Sequence, residues 1–243
     1  MDMGSVSFVD TAGAVLLVAW AVAMWTAVGV LAYANRAGAA VRPGVYRASV
    51  AVIGIGVVGQ LGHVQEHVAQ VGYWFGHPNS KPWMTPWGTG LAKGFGQVAP
   101  MKHGLGMEIL HLTGNFIFLA GLAGIMVITK RALRTKARRW ARMGVWMQGL
   151  HGVEHLVLTL SVAFGAQQAI GLSTWFGLLD PGPGLWTFRV WWHFVANIVG
   201  SMIFALSLYH LWRERREVRA GYRLRPVAVP APAEDEGTSA LAA

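Results

Sequence analysis

Five stretches of the chain are apolar over lengths of about 20 residues, and short polar or basic segments separate them. A helix of about 20 apolar residues is long enough to cross the hydrocarbon core of a bilayer. We therefore predict an all-α integral membrane protein with five transmembrane helices. The predicted spans lie at about 12–34, 49–74, 103–129, 143–165 and 189–212. They form a single domain over residues 1–224.

Basic residues are concentrated in three of the segments that flank these spans. The segments follow the first, third and fifth spans, at 36–47, 130–142 and 213–225. Lys and Arg accumulate on the cytoplasmic side of membrane proteins. We therefore expect a multi-pass protein of the cell membrane, with its N-terminus outside and its C-terminus in the cytoplasm.

The two long outer connections and the C-terminal tail differ in composition. The connections, 75–102 and 166–188, carry Trp among Gly and Pro, as segments at a membrane interface do. We expect them to form a lid over the outer surface. Residues 225–243 are rich in Ala, Pro and acidic side chains, which is typical of a disordered tail, here on the cytoplasmic side.

The amino-acid composition limits the partners and the metal ligands that this chain can have. Hydrophobic residues make up 54% of the 243 residues and charged residues only 13%, so the expected partner is the lipid bilayer. The net charge of +9 comes from the basic segments between spans, and it does not indicate a nucleic-acid partner. The chain has no cysteine, which excludes disulfides, thiolate ligands and iron–sulfur clusters. Any metal must be bound by nitrogen and oxygen.

Histidines and acidic residues occur together inside the predicted spans. An ionised carboxylate in hydrocarbon costs several kcal/mol unless it is paired, neutralised or bound to a metal. Three glutamates nevertheless lie there, each with histidines at helical spacing and all in the outer half of the membrane. The predicted metal ligands are His63, Glu66, His67, Glu108, His111, His151, Glu154, His155 and His193.

The segments QLGHVQEH (60–67) and QGLHGVEH (148–155) share Gln, His, Glu and His at identical offsets. In each case the next span carries a His followed by an Asn four residues later, at 111–115 and 193–197. We predict a two-helix hairpin used twice, as spans 2–3 and 4–5, which builds a four-helix core with the first span packed outside it.

Four amide side chains accompany these ligands at matching positions. They are expected to orient the ligands through hydrogen bonds, although plain helix-to-helix bonding is nearly as good an interpretation. These residues are Gln60, Gln148, Asn115 and Asn197.

Nine nitrogen and oxygen ligands are too many for one ion and suit a dinuclear site. Iron or copper is favoured as the metal, and zinc is an alternative. Glu108 breaks the symmetry, because Val190 stands at the corresponding position of the fifth span. Glu108 is therefore an extra ligand or a catalytic acid/base. In ligand type the set is similar to the histidine-rich di-iron sites of membrane hydroxylases and desaturases, whose histidine spacings it does not match.

The leading functional hypothesis is a metal-dependent oxidoreductase that acts on a lipophilic or small substrate from the outer leaflet, together with a redox partner. A zinc-dependent membrane hydrolase is an alternative, because His-x-x-Glu-His is also the inverted zinc-protease signature. A haem-binding or metal-transport protein is a third, although the inner halves of spans 3 and 5 are too apolar for an ion path. A buried hydrogen-bonded network without metal is the structural alternative.

Overall fold

The computed structural model describes residues 6–132 and 134–223, and the regular structure within them is entirely helical. The predicted tail at 225–243 lies outside the described residues. Two short 3-10 turns, Thr129–Arg131 and Leu172–Gly177, accompany the α-helices. The α-helices are α1 (Phe8–Ala34), α2 (Pro43–Gly76), α3 (Pro86–Gly96), α4 (Leu105–Ile128), α5 (Lys136–Ala163), α6 (Pro183–Arg213) and α7 (Arg215–Ala220).

Four helices are long and apolar enough to cross a membrane, which indicates a membrane protein. They are α1, α2, α4 with its extension to Arg131, and α6. The fifth predicted span coincides with α5, which is long enough but too polar by the same measure. Basic side chains at its start and the segment 148–155 lower its hydropathy, so hydropathy alone does not identify α5 as a span.

Several helices extend beyond the apolar runs that predicted them. α2 begins at Pro43 and α5 at Lys136, each about two turns before the predicted span. Pro43 favours helix initiation because its ring fixes φ, and the Thr135 side chain accepts a hydrogen bond from the N–H of Arg138. Basic residues can therefore lie on helix that continues past the hydrocarbon core.

Helices α2, α4, α5 and α6 form a ring. α4 packs against α2 and α5, and α6 packs against the same two helices from the other side. α1 lies outside the ring, on α2, α3 and α4. The main apolar core fills the half of the ring away from the outer loops and includes Phe118, Leu122 and Ile125, which are almost fully buried. The polar residues of 60–67 and 148–155 occupy the other half.

The first outer connection contains a helix that the hydrophobic pattern did not indicate. α3 begins at Pro86, and the Thr85 side chain accepts a hydrogen bond from the N–H of Gly88. α3 packs on α1 and α4, and thereby covers this side of the ring from the outside. Its sequence, PWGTGLAKGFG, is too short and too rich in glycine to show clear helical periodicity.

Candidate metal centre

The six histidines predicted as ligands come together in the half of the four-helix ring that lies next to the connections 75–102 and 166–188. The imidazole centroids of His63 and His67 lie 4.8 Å apart, and those of His151 and His155 lie 4.6 Å apart. His111 and the sixth ring, His193, join these two pairs with their centroids 5.4 Å apart. Spacings of i, i+4 on α2 and α5 place each pair on one face of its helix. The structure therefore brings all six rings into one cluster.

The cluster has two halves of similar geometry, one formed by α2 and α4 and the other by α5 and α6. His111 lies 6.1 Å from His63, and the matching pair of His193 and His151 lies 6.2 Å apart. Across the halves, His67 lies 5.8 Å from His193, and His155 lies 5.4 Å from His111. Each half therefore presents three imidazoles with similar centroid spacings, although within the described residues only His63, His67 and His111 bring a ligand atom from each ring within 4.8 Å of the others.

The ring orientations of His111 and His193 are set by their own helices. Nδ1 of His111 lies 2.9 Å from the backbone oxygen of Met107, and Nδ1 of His193 lies 2.7 Å from that of Arg189. A carbonyl oxygen can only accept, so each Nδ1 carries the hydrogen and donates it. Each Nε2 then keeps a free lone pair, which is the form of imidazole that binds a metal.

Two further rings are oriented in the same way by side chains. Nδ1 of His67 donates to the side-chain oxygen of Gln70 over 3.1 Å. Nδ1 of His151 donates to Oε2 of Glu154 over 3.3 Å. Nε2 is again left as the lone-pair nitrogen in each case. Four of the six rings therefore use Nδ1 for a fixed hydrogen bond and leave Nε2 available.

The free nitrogens lie close together and are buried. Nε2 of His63 and Nε2 of His67 are 3.1 Å apart and share a hydrogen bond in the absence of an ion, and with His111 these rings offer ligand atoms within 4.8 Å of one another. In the other half, Nε2 of His151, Nε2 of His193 and both nitrogens of His155 are buried and have no hydrogen-bond partner in the described part of the chain. Buried ring nitrogens without partners are costly in a metal-free protein. This donor set suits a transition metal.

Two of the predicted carboxylate ligands are hydrogen-bonded to the outer loops. Oε1 of Glu66 accepts from the backbone N–H of Thr85 over 3.0 Å, and its Oε2 accepts from the Thr85 hydroxyl. Oε1 of Glu154 accepts from the N–H of Ser173 over 2.8 Å, and its Oε2 accepts from Trp192 over 3.3 Å. In both cases the loop residue follows the glutamate by 19 positions. These carboxylates hold the loops over the cluster.

The third carboxylate, Glu108, has a basic partner on another helix. Nη2 of Arg189 lies 2.7 Å from Oε1 of Glu108, and the Glu108 side chain is almost fully buried. Its other oxygen, Oε2, has no hydrogen-bond partner within the described ranges. The ion pair explains how a carboxylate can be buried here.

The four amide side chains connect the two halves of the ring. Nε2 of Gln60 lies 3.5 Å from Oδ1 of Asn197, and Gln148 donates to Asn115. Each Asn also donates to the backbone carbonyl of the histidine four residues before it. The amides therefore position the helices that carry the ligands, and within the described residues they form no hydrogen bond with an imidazole nitrogen.

Residue types alone did not point to Thr85, Ser173 and Arg189, but the sequence carries a signal for the first two. The motif copies are offset by 148 − 60 = 88 positions, and 173 − 85 gives the same 88. A Trp follows each of these residues after one intervening position, at 87 and 175. For Arg189 the signal is a basic residue at the start of an otherwise apolar span, in the turn before His193.

Comparison with known proteins places the chain in a family without assigning an activity. Neither the curated proteins nor the solved structures contain a match to it. A family model matches residues 1–236, which is almost the whole chain. The chain therefore belongs to DUF6008, a family of unknown function.

Proposed function

We propose that this protein is a membrane metalloprotein in which six histidines bind two transition-metal ions, with three imidazoles for each ion. The observation that carries the proposal is the 3.1 Å separation of Nε2 of His63 and Nε2 of His67. Two nitrogens bound to one ion at about 2.0–2.1 Å lie roughly 2.8–3.4 Å apart for bond angles of 90–109°. The separation therefore fits two ligands of a single ion.

The similar geometry of the two halves supports a second ion at His151, His155 and His193. Imidazole ligands suit iron, copper, zinc and nickel, and we retain iron or copper as the favoured metals. The hydrogen bonds of Glu66 and Glu154 to the outer loops favour a role for these carboxylates outside the ligand set. Three imidazoles leave an open position on each ion for a substrate or oxidant.

We further propose that α5 is the fifth span and that α2–α4 and α5–α6 are two copies of one hairpin. α5 carries two of the six histidines and packs between α4 and α6, which are long and apolar enough to cross a membrane. Equivalent hydrogen bonds that Glu66 and Glu154 accept from their loops support the duplication. The basic segments give the orientation, with the metal centre in the outer half of the cell membrane.

The reaction class we propose is oxidation of a lipophilic substrate, with dioxygen or a redox partner accepting the electrons. Glu108 is the candidate acid/base, because it lies one turn before His111 and has a buried oxygen without a partner in the described structure. The hydrolase alternative uses the glutamate of His-x-x-Glu-His itself as general base, so Glu66 or Glu154 would need a free oxygen beside the metal. Both oxygens of Glu66 and both of Glu154 are engaged, which favours the oxidoreductase.

The test is to identify the metal in protein purified without added metal. Elemental analysis and electron paramagnetic resonance should show iron or copper with nitrogen ligands, and His67→Ala should change the spectrum. The exposed His77 gives a control variant, His77→Ala, that should leave the spectrum unchanged. Zinc alone would favour the hydrolase, and a Soret band would establish haem. Absence of any bound metal would contradict the proposal.

A further inference from the structure

An apolar cavity of about 310 Å³ lies between α1, α2 and α4 and ends at the histidine cluster. Leu17 and Trp20 of α1 form one wall, and Val58 of α2 and Ile117 of α4 contribute to the others. Leu91 of α3 lines it as well. The volume is at the lower end of the range for sites that bind small molecules.

The polar groups of the cavity are concentrated among the residues of the metal centre. His63, Glu66 and His111 belong to its lining. Both oxygens of Glu66 are already hydrogen-bonded to Thr85. Nδ1 of His111 donates to the backbone oxygen of Met107, so the His63 imidazole is the group left for a ligand. Nδ1 of His63 is buried and has no partner among the described residues.

The cavity reaches the outer surface of a helix that is apolar enough to cross the membrane. Val58 lines the cavity and is 61% exposed, in the middle of α2. Gly62, one turn further along α2, also lines the cavity, and a Cβ placed on it would meet no atom within 4 Å. The absence of a side chain at Gly62 keeps the space between Val58 and His63 open. A molecule dissolved in the bilayer can therefore enter sideways.

Larger residues stand at the equivalent positions of the other half. An offset of 88 positions relates Gly59 to Met147 and Gly62 to Leu150. The walls supplied by α1 and α3 are also particular to this half, since α1 packs on α2, α3 and α4. The two halves share their histidine geometry but differ in the space that leads to it. The open path from the bilayer to the histidines therefore lies in the half that contains His63 and His111.

We propose that this cavity binds a neutral lipophilic molecule that enters from the bilayer and places one polar group, such as a hydroxyl, against Nδ1 of His63, beside His111. The proposal rests on the proposed function, because it treats these histidines as the reactive metal ligands. A charged ligand is disfavoured, because an ionised group would lose its hydration among apolar walls that offer it no free counter-charge. The occupant is the substrate class of the oxidoreductase.

Photolabelling tests the site directly. The protein is placed in lipid nanodiscs with a long-chain alcohol that carries a diazirine, and labelled peptides are mapped after illumination. We expect label on Leu17, Leu91 and other residues of the cavity. Gly62→Leu should fill the opening and lower that labelling by about tenfold. Gly54→Leu, also on α2 with open space at its Cβ and outside the cavity lining, should leave it unchanged.

Metal content is measured on the same samples, so that the results distinguish an error in the lipophilic site from an error in the metal centre. Gly62→Leu is expected to keep the metal content of the unsubstituted protein. Metal-free protein that still takes the label in the cavity would support the lipophilic site and overturn the metal centre. Full metal content with label confined to the outer surface, or labelling that Gly62→Leu does not reduce, would overturn the lipophilic site alone.

Discussion

Arg189 of α6 donates a hydrogen bond to Glu108 of α4 across 2.7 Å. The pair connects two helices that face each other across the four-helix ring, immediately beside His111 and His193. Glu108 is the carboxylate without a counterpart in the predicted duplication, and Arg189 is the basic residue that makes its burial possible. The feature that distinguishes the two halves of the site is therefore an ion pair between Glu108 and Arg189, and not an unpaired glutamate.

Loss of Arg189 should destabilise the protein. Arg189→Gln leaves the buried Glu108 carboxylate without its counter-charge, and we expect a loss of about 2–3 kcal/mol. This lies below the range for a fully buried pair, because the Arg189 side chain is 23% exposed. The measurement is the unfolding free energy in detergent. The double variant Glu108→Gln/Arg189→Gln should recover most of the loss, and equal instability of both variants would contradict the interpretation.

The carboxylates of Glu66 and Glu154 should stabilise the connections 75–102 and 166–188, and they should matter less for metal binding. Glu66→Gln replaces one acceptor oxygen with an NH₂ group, which cannot accept from Thr85. We expect amide hydrogen exchange at Thr85 to accelerate about tenfold or more while the metal stays bound. Glu154→Gln should act in the same way at Ser173. Loss of metal with unchanged exchange at these loops would instead identify the glutamates as ligands.

Close packing of α2 on α4 depends on Gly56. A Cβ at this position would lie 2.6 Å from Cα of Gly121, so Gly56→Ala must push the two helices apart. We expect a loss of about 1–3 kcal/mol in unfolding free energy. Gly54→Ala is the matched control, because its Cβ would meet no atom within 4 Å. Equal stability of the two variants would show that the helices are not in contact at this point.

Tyr222 joins the segment after α7 to the ends of α1 and α4. Its hydroxyl donates to the backbone oxygen of Ile128 over 3.0 Å and accepts from Nδ2 of Asn35 over 2.7 Å. Burial raises the pKa of the Tyr222 hydroxyl above its ordinary value of 10.0. Tyr222→Phe should lower the unfolding free energy by about 1 kcal/mol at neutral pH.

The raised pKa also gives a pH dependence with a defined sign. The unfolded chain releases the Tyr222 proton at lower pH than the folded protein does, so the stabilisation is complete below pH 10 and declines above it. Stability measured between neutral pH and about pH 11 should therefore fall more steeply in the unsubstituted protein than in Tyr222→Phe. Parallel curves would contradict this assignment.

The histidine cluster could be predicted because helical periodicity is a local property. Spacings of three and four residues fix the face on which His63, His67, His151 and His155 lie, and the repeated motif indicates that the two faces are equivalent. The depths of the spans then bring His111 and His193 to the same level. None of these steps depends on the conformation of a loop.

The partners of the carboxylates could not be predicted in the same way. Glu66 and Glu154 meet residues 19 positions away, and the conformations of the intervening loops decide which groups reach them. The sequence predicts all three glutamates as metal ligands, because a carboxylate in hydrocarbon is costly unless it is paired, neutralised or bound to a metal. Thr85, Ser173 and Arg189 supply another explanation, and the ligand role of the glutamates stays a prediction that the Glu→Gln variants test.

The most direct test of the central claim is the number of transition-metal ions bound per purified chain, measured in the unsubstituted protein and in two variants. We predict two ions in the unsubstituted protein. His67→Ala and His155→Ala should each lose about one, because each removes a ligand from a different half. Absence of bound transition metal in the unsubstituted protein, or two ions retained in both variants, would contradict the account.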